Sequence, residues 1–84
     1  VLVLAFPQPN DARALLVVAP LTSQQRGLRG EVDIGKPRWL PKRSAVNIQG
    51  LASIDQGALI RRLGRLPDPQ LAAVKAAIRD FLGL

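Results

Sequence analysis

Two uninterrupted apolar runs of strand length lie near the start of the chain, and they constrain its fold more than any other feature. Residues 1–6 form the first run and residues 14–19 the second. Continuous apolar runs of this length are typical of strands buried on both faces. Residues 7–11, between them, are rich in proline, asparagine and aspartate, which favour turns. Pro20 ends the second run because proline cannot donate to a ladder. We therefore predict an antiparallel hairpin.

Two later segments alternate between apolar and polar residues, as half-exposed strands do. Residues 31–34 (Glu-Val-Asp-Ile) follow a polar loop at 22–27, and residues 44–54 follow a basic, proline-containing loop at 35–43. Gly50 interrupts the second alternation and predicts a bulge or a sharp bend there.

Helix signals are confined to the last third of the chain. Asp55 is a typical N-cap and Gly64 a typical C′ residue, so we predict a short helix over 56–63. A second start signal, Asp68 with Pro69 at N1, precedes apolar residues at helical spacing up to about Leu82. Short strands followed by two helices indicate a β-rich α+β fold, a small SH3-like barrel with a short helix and a C-terminal helix.

The size of the chain bounds its organisation. Its 84 residues suffice for one domain, and we expect a single domain over residues 1–84. At this size one core is marginal, and without cysteine no disulfide can add stability. We therefore expect a homodimer. The chain opens inside a predicted strand and without methionine, so we expect the domain to be N-terminally incomplete.

The charge of the chain restricts its partners. Twelve Lys and Arg against six Asp and Glu give a net charge of +6. Such an excess suits nucleic acid, an acidic protein tail or an anionic membrane surface. Nine of the basic residues but only three acids lie between Thr22 and Arg65, which predicts a positively charged face. A solvated basic surface without a specific partner is the alternative.

No apolar run reaches the roughly 20 residues that a membrane span requires. The apolar opening also lacks the basic leader and the cleavage site of a signal peptide. We therefore expect a cytoplasmic protein.

The absent residue types exclude several kinds of catalysis. With no His and no Cys, imidazole acid–base catalysis, thiol nucleophiles and most zinc sites are impossible. No Gly-rich phosphate loop is present either. Arg, Lys, Thr, Ser and backbone amides remain, and they can bind phosphate and stabilise negative charge on it. Phosphodiester cleavage by the 2′-hydroxyl of RNA suits this set, because the substrate supplies the nucleophile.

Three segments, in order and spacing, resemble bacterial toxins of the MazF/PemK family. They are residues 17–23 (Val-Val-Ala-Pro-Leu-Thr-Ser), residues 44–55 ending in Ser-Ile-Asp, and the closing pattern from Leu63-Gly64-Arg65-Leu66 to Phe81-Leu82-Gly83-Leu84. The resemblance implies a sequence-specific endoribonuclease that cleaves single-stranded RNA without metal or other cofactor, with mRNA as the expected target of an mRNA interferase. It also implies a homodimeric basic groove and an acidic, MazE-like antitoxin that covers the groove.

The resemblance also assigns roles to residues. The family's catalytic threonine falls on Thr22, and the family's catalytic Arg-Pro pair would precede Val1 and is absent from these residues. Gln49 stands where many members carry an acid, so it can read a base edge but cannot act as a base. We predict that the RNA-binding residues are Ser23, Gln24, Arg26, Arg43, Asn47 and Gln49.

Two alternatives stay open. The chain could be a non-catalytic basic barrel that binds RNA or an acidic protein partner without cleaving RNA. Trp39 could stack on a base, but its position between Pro37 and Pro41 favours packing inside the protein or at an interface.

Overall fold

A computed structural model describes residues 1–84. Six strands run in chain order: β1 Leu2–Ala5, β2 Leu15–Ala19, β3 Leu21–Thr22, β4 Glu31–Gly35, β5 Ser44–Asn47 and β6 Ala52–Asp55. Two 3-10 turns, Ile48–Gly50 and Gln56–Ala58, flank β6, and one α-helix, α1 Asp68–Leu82, closes the chain. This arrangement confirms the predicted β-rich α+β class.

The first sheet has the order β1-β2-β6, and all its pairs are antiparallel. The predicted hairpin of β1 and β2 is confirmed, with Val3 opposite Val18. The expected burial of the first strand on both faces is wrong. Because β1 is an edge strand, Leu2 to Leu4 are only half-buried, Ala5 is exposed, and Phe6 just beyond it is 60% exposed.

The second sheet has the order β3-β5-β4, again antiparallel. Pro20 separates β2 from β3, and the Pro20 carbonyl accepts a hydrogen bond from the Asn47 amide at 2.9 Å. The chain therefore passes from one sheet to the other at this proline, and the expected barrel takes the form of two open three-stranded sheets. β5 is the central strand, and Ser44, Ala45 and Val46 are all buried in it.

The predicted interruption at Gly50 is a 3-10 turn that divides the 44–54 segment into β5 and β6. The Asn47 side chain caps this turn by accepting a hydrogen bond from the Gln49 amide at 3.1 Å. A Cβ on Gly50 would lie 2.6 Å from Pro20 Cγ. Glycine is therefore required here, because the turn packs directly on the proline that joins the two sheets.

The C-terminal helix is confirmed, with its start displaced by one residue. Pro67 is the N-cap, Asp68 is the first helical residue, and Gly83 ends the helix in the left-handed conformation at φ 71°. Val74 is fully buried on its inner face. It belongs to a core cluster whose buried members are Ala19, Ile34, Val46, Ile48, Leu66 and Val74.

The predicted helix over 56–63 is wrong beyond its first turn. Asp55 does cap the segment, because its Oδ1 accepts a hydrogen bond from the Gly57 amide at 2.8 Å. Only the 3-10 turn Gln56–Ala58 follows, and Ile60 is 98% exposed. A short helix is costly to nucleate unless one face is buried, and here no apolar face is covered.

Gly64 lies against Trp39 and does not end a helix. A Cβ on Gly64 would meet indole atoms at 2.3 to 2.6 Å, so the chain crosses the ring at close range. Trp39 is half-buried and also packs against the core cluster. The packing interpretation of this residue therefore agrees with the structure.

No helix in the structure combines the length and the apolar character that crossing a membrane requires.

Candidate functional site

The outer face of the second sheet gathers the polar residues of three strands. Alternation directs Leu21 and Val32 towards the core, where they pack against the buried cluster. Their neighbours Thr22 and Asp33 therefore lie on the opposite face, both paired with Ala45 of β5. Ala45 itself is buried, so the side chains around it cover it.

An open pocket of about 210 Å³ lies at one end of this face. Six residues line it: Thr22, Gln24, Arg26, Leu28, Glu31 and Asn47. Four of these are among the seven predicted site residues, namely Thr22, Gln24, Arg26 and Asn47. The pocket brings together a hydroxyl, two amides, a guanidinium and a carboxylate.

Thr22 ends β3 and is half-buried. Its Oγ1 accepts a hydrogen bond from the Gln24 backbone amide at 3.1 Å, so the side chain shapes the first turn of the loop after it. Since Oγ1 serves as the acceptor in this bond, the hydroxyl hydrogen is free to be donated to another group. Thr22 can therefore donate to an anionic oxygen placed in the pocket.

The Glu31 carboxylate binds the backbone of the same loop further along the chain. Its Oε1 accepts hydrogen bonds from the backbone amides of Arg26 and Leu28, both at 3.0 Å. The Leu28 amide, followed by the Arg26 amide, lowers the pKa of Glu31 from its ordinary value, because both stabilise the charged carboxylate. Gly27 lies between them at φ 66°, a left-handed conformation that glycine adopts readily.

Asp33 binds a second basic side chain. Arg43 Nη2 lies 2.6 Å from Asp33 Oδ2, and the Gly35 amide donates to Asp33 Oδ1 at 2.8 Å. The Arg43 hydrogen bond is the main cause of a lowered pKa for Asp33, with the Gly35 amide second. Both side chains are well exposed, so this ion pair contributes little to stability and can exchange with another anion.

The structure separates the other predicted residues from the pocket. Ser23 and Gln49 are exposed and do not line it. Arg43 is engaged by Asp33 on the neighbouring strand and also lies outside the pocket lining. The structure therefore does not bring these three residues into the pocket.

Two residues of the pocket, Glu31 and Leu28, were missed by the sequence reasoning. The position of Glu31, after the polar loop at 22–27 and at the start of an alternating strand, was the available signal. Arg29 was also missed: its guanidinium carbon lies 4.2 Å from the Phe81 ring centroid, and its Nη2 lies 3.4 Å from the Phe81 carbonyl. No local pattern could predict a contact between residues 52 positions apart.

The chemistry of the pocket follows from its donors. Arg26 and Thr22 can both donate to phosphate oxygens, and the side-chain amides of Gln24 and Asn47 can pair with the edge of a base. No group of three or more His, Cys, Asp or Glu residues is arranged to hold a metal ion.

The chain is similar to proteins of a known family. A family model described as the PemK-like, MazF-like toxin of type II toxin–antitoxin systems matches residues 1–82. The probable endoribonuclease MazF5 of Mycobacterium tuberculosis is 41% identical over 73 residues. The match covers 83% of this chain and 63% of that protein, so the chain spans less than two thirds of its relative. Since the family model covers nearly every residue, the chain belongs to the PemK-like, MazF-like toxins of type II toxin–antitoxin systems.

Proposed function

We propose that the protein is the toxin of a type II toxin–antitoxin system and a sequence-specific endoribonuclease that cleaves single-stranded RNA without a metal ion. The observation that supports this most directly is the grouping of Thr22, Arg26 and Asn47 around one open pocket. A family relative that is named a probable endoribonuclease adds support. The excess of basic residues supplies the attraction to a polyanion.

The proposed reaction is a transesterification within the RNA. The 2′-oxygen attacks the adjacent phosphorus while the bond from phosphorus to the 5′-oxygen breaks, which leaves a 2′,3′-cyclic phosphate and a 5′-hydroxyl. The 2′-hydroxyl loses one proton and the departing oxygen gains one, so protons balance. Arg26 stabilises the charge that builds on the phosphate, and Thr22 donates to a phosphate oxygen or assists the proton transfer.

Sequence specificity would come from the amides beside the pocket. Gln24 and Asn47 can each donate to and accept from a base edge. The exposed Ser23 and Gln49 would contact neighbouring nucleotides. Arg43 would exchange Asp33 for a backbone phosphate when RNA binds, at low cost because the ion pair is exposed.

The proposed partners follow from charge and exposed apolar surface. An acidic, MazE-like antitoxin would compete with RNA for the same positive potential. Large apolar side chains at the surface, among them Phe6 and Ile60, suit association of two copies into a homodimer.

The test is cleavage of a long single-stranded RNA by the full-length protein in EDTA, with mapping of the cut sites and of the new ends. We expect cuts at a short recurring motif, no cleavage of the matching DNA, and 5′-hydroxyl ends. Replacing Thr22 with alanine should slow cleavage roughly a hundredfold while RNA binding persists. Ser53→Ala, which removes an exposed strand hydroxyl from the other sheet, is the matched control and should cleave normally.

Two results would refute this proposal. Cleavage that requires a divalent ion would exclude the metal-independent mechanism. Tight RNA binding without cleavage under any condition would identify the protein as a basic binding module instead.

A further inference from the structure

A single carboxylate holds the loop that carries Arg26. Glu31 Oε1 accepts hydrogen bonds from two backbone amides of this loop, those of Arg26 and Leu28. Gly27, between them, has the left-handed conformation, and the amides on either side of it converge on this oxygen. Concave groups of backbone amides of this kind bind anions. In this protein the anion is a side chain of the chain itself.

The carboxylate is in turn fixed to the sheet. Glu31 pairs with Asn47 of the central strand, and the adjacent Gly30 carbonyl accepts a hydrogen bond from the Ile48 amide at 2.8 Å. The Glu31 amide donates to the Leu28 carbonyl at 3.1 Å. The backbone of Glu31 therefore belongs to a rigid strand, while its side chain reaches back to a loop whose residues are otherwise exposed.

We infer that Glu31 is a positioning residue for RNA cleavage, which holds Arg26 beside Thr22 and Asn47; this inference rests on the proposed function. Its carboxylate is engaged by backbone amides and does not contact the RNA. Without it, residues 26–28 lose their shared acceptor, and the Arg26 guanidinium samples many positions. Misplacing a charge-stabilising group lowers the rate of the chemical step more than it lowers affinity for the substrate.

The experiment compares Glu31→Ala, Glu31→Gln and a matched control, Asp11→Ala, in the full-length protein. Asp11 also accepts a backbone hydrogen bond, from the Gln8 amide at 2.6 Å, but it lies between β1 and β2 and does not line the pocket. Each alanine variant removes one negative charge, so the formal net charge of this chain changes equally, from +6 to +7. General attraction to RNA is therefore matched between the two variants.

The cleavage rate is measured in single turnover at saturating RNA, and affinity is measured on a 2′-O-methylated RNA that cannot be cut. We expect Glu31→Ala to lose roughly ten- to a hundredfold in rate, with affinity equal to that of Asp11→Ala. Glu31→Gln retains an acceptor oxygen and should recover most of the lost rate. Amide hydrogen exchange at Arg26 and Leu28 should accelerate in Glu31→Ala while exchange in β5 stays slow.

The outcomes separate the two proposals. If wild type and Asp11→Ala cut RNA and Glu31→Ala cuts equally fast, Glu31 has no positioning role and the proposed function stands. A loss of affinity with an unchanged saturated rate would also overturn the positioning role. If wild type itself leaves RNA intact, the proposed function fails and this inference fails with it.

Discussion

Replacing Gly64 with alanine tests whether the segment before α1 packs on Trp39. The new Cβ would lie 2.3 Å from Trp39 Cδ1, 2.5 Å from Cγ and 2.6 Å from Nε1. Carbon atoms in contact normally approach to about 3.5–4.0 Å. The ring or the segment must therefore retreat by about an ångström or more, by the same contact distance.

The indole cannot retreat freely, because Trp39 also packs against the core cluster. Inserting a methyl group into such a contact costs about 1–3 kcal/mol. For a domain of this size each kcal/mol lowers Tm by roughly 4–8 °C, so we expect a fall of at least about 4 °C. Trp39 is the only tryptophan, so its fluorescence follows unfolding without a label. If the segment moves away instead, the exposed indole should emit at longer wavelength.

Gly57→Ala is the matched control for this measurement. It makes the same substitution in the same connection, but the new Cβ would meet only Asp55 Oδ1, at 3.3 Å. We expect unchanged or slightly higher stability, since alanine reduces the entropy of the unfolded chain. A Gly64→Ala protein with the Tm and emission of wild type would refute the packing of this segment on the indole.

Two further predictions concern stability. Val74→Ala removes two methyl groups from a fully buried position and should lower the free energy of unfolding by about 2 kcal/mol in urea denaturation. Lys75→Ala, at the exposed neighbouring position, should have little effect, and an equal loss in both variants would contradict the docking of this helix face. The second prediction concerns the stability of the folded protein at acid pH. Because folding lowers the pKa values of Glu31 and Asp33, these carboxylates stabilise the folded protein above their ordinary values of 4.5 and 3.8, and this contribution is lost as pH falls through the folded values. Urea midpoints measured down the acid range should therefore fall less steeply in a Glu31→Gln, Asp33→Asn double variant, and an unchanged slope would count against these contacts.

The proposed site depends on acids as much as on basic residues. Glu31 holds the backbone around Arg26, and Asp33 holds the side chain of Arg43. A net positive charge alone would attract RNA to many places on the surface. In the proposed site Glu31 instead holds the backbone of Arg26 in the pocket that Thr22 also lines, and a specific phosphate site requires such a fixed arrangement.

The sequence by itself determined the local elements. Apolar runs and alternation located the strands except β3, which lies where the sequence predicted the start of a loop. The Asp68-Pro69 signal and the helical spacing after it located α1 to within one residue. These predictions held because each depends on neighbours within a few positions along the chain. The charge excess, the absence of His and Cys, and the segments around Thr22 likewise indicated a phosphate-binding chemistry and the family before any contact was known.

Only the tertiary structure decided which of these elements share a sheet and what their side chains contact. Asp55 caps a turn as predicted, but the helix does not continue beyond Gln56–Ala58. Ile60 and its neighbours are exposed, so no burial stabilises further helical turns. The contact between Arg29 and Phe81 and the ion pair between Asp33 and Arg43 join different elements. Such contacts depend on how the chain folds back on itself. The pattern of residues adjacent in sequence does not predict them.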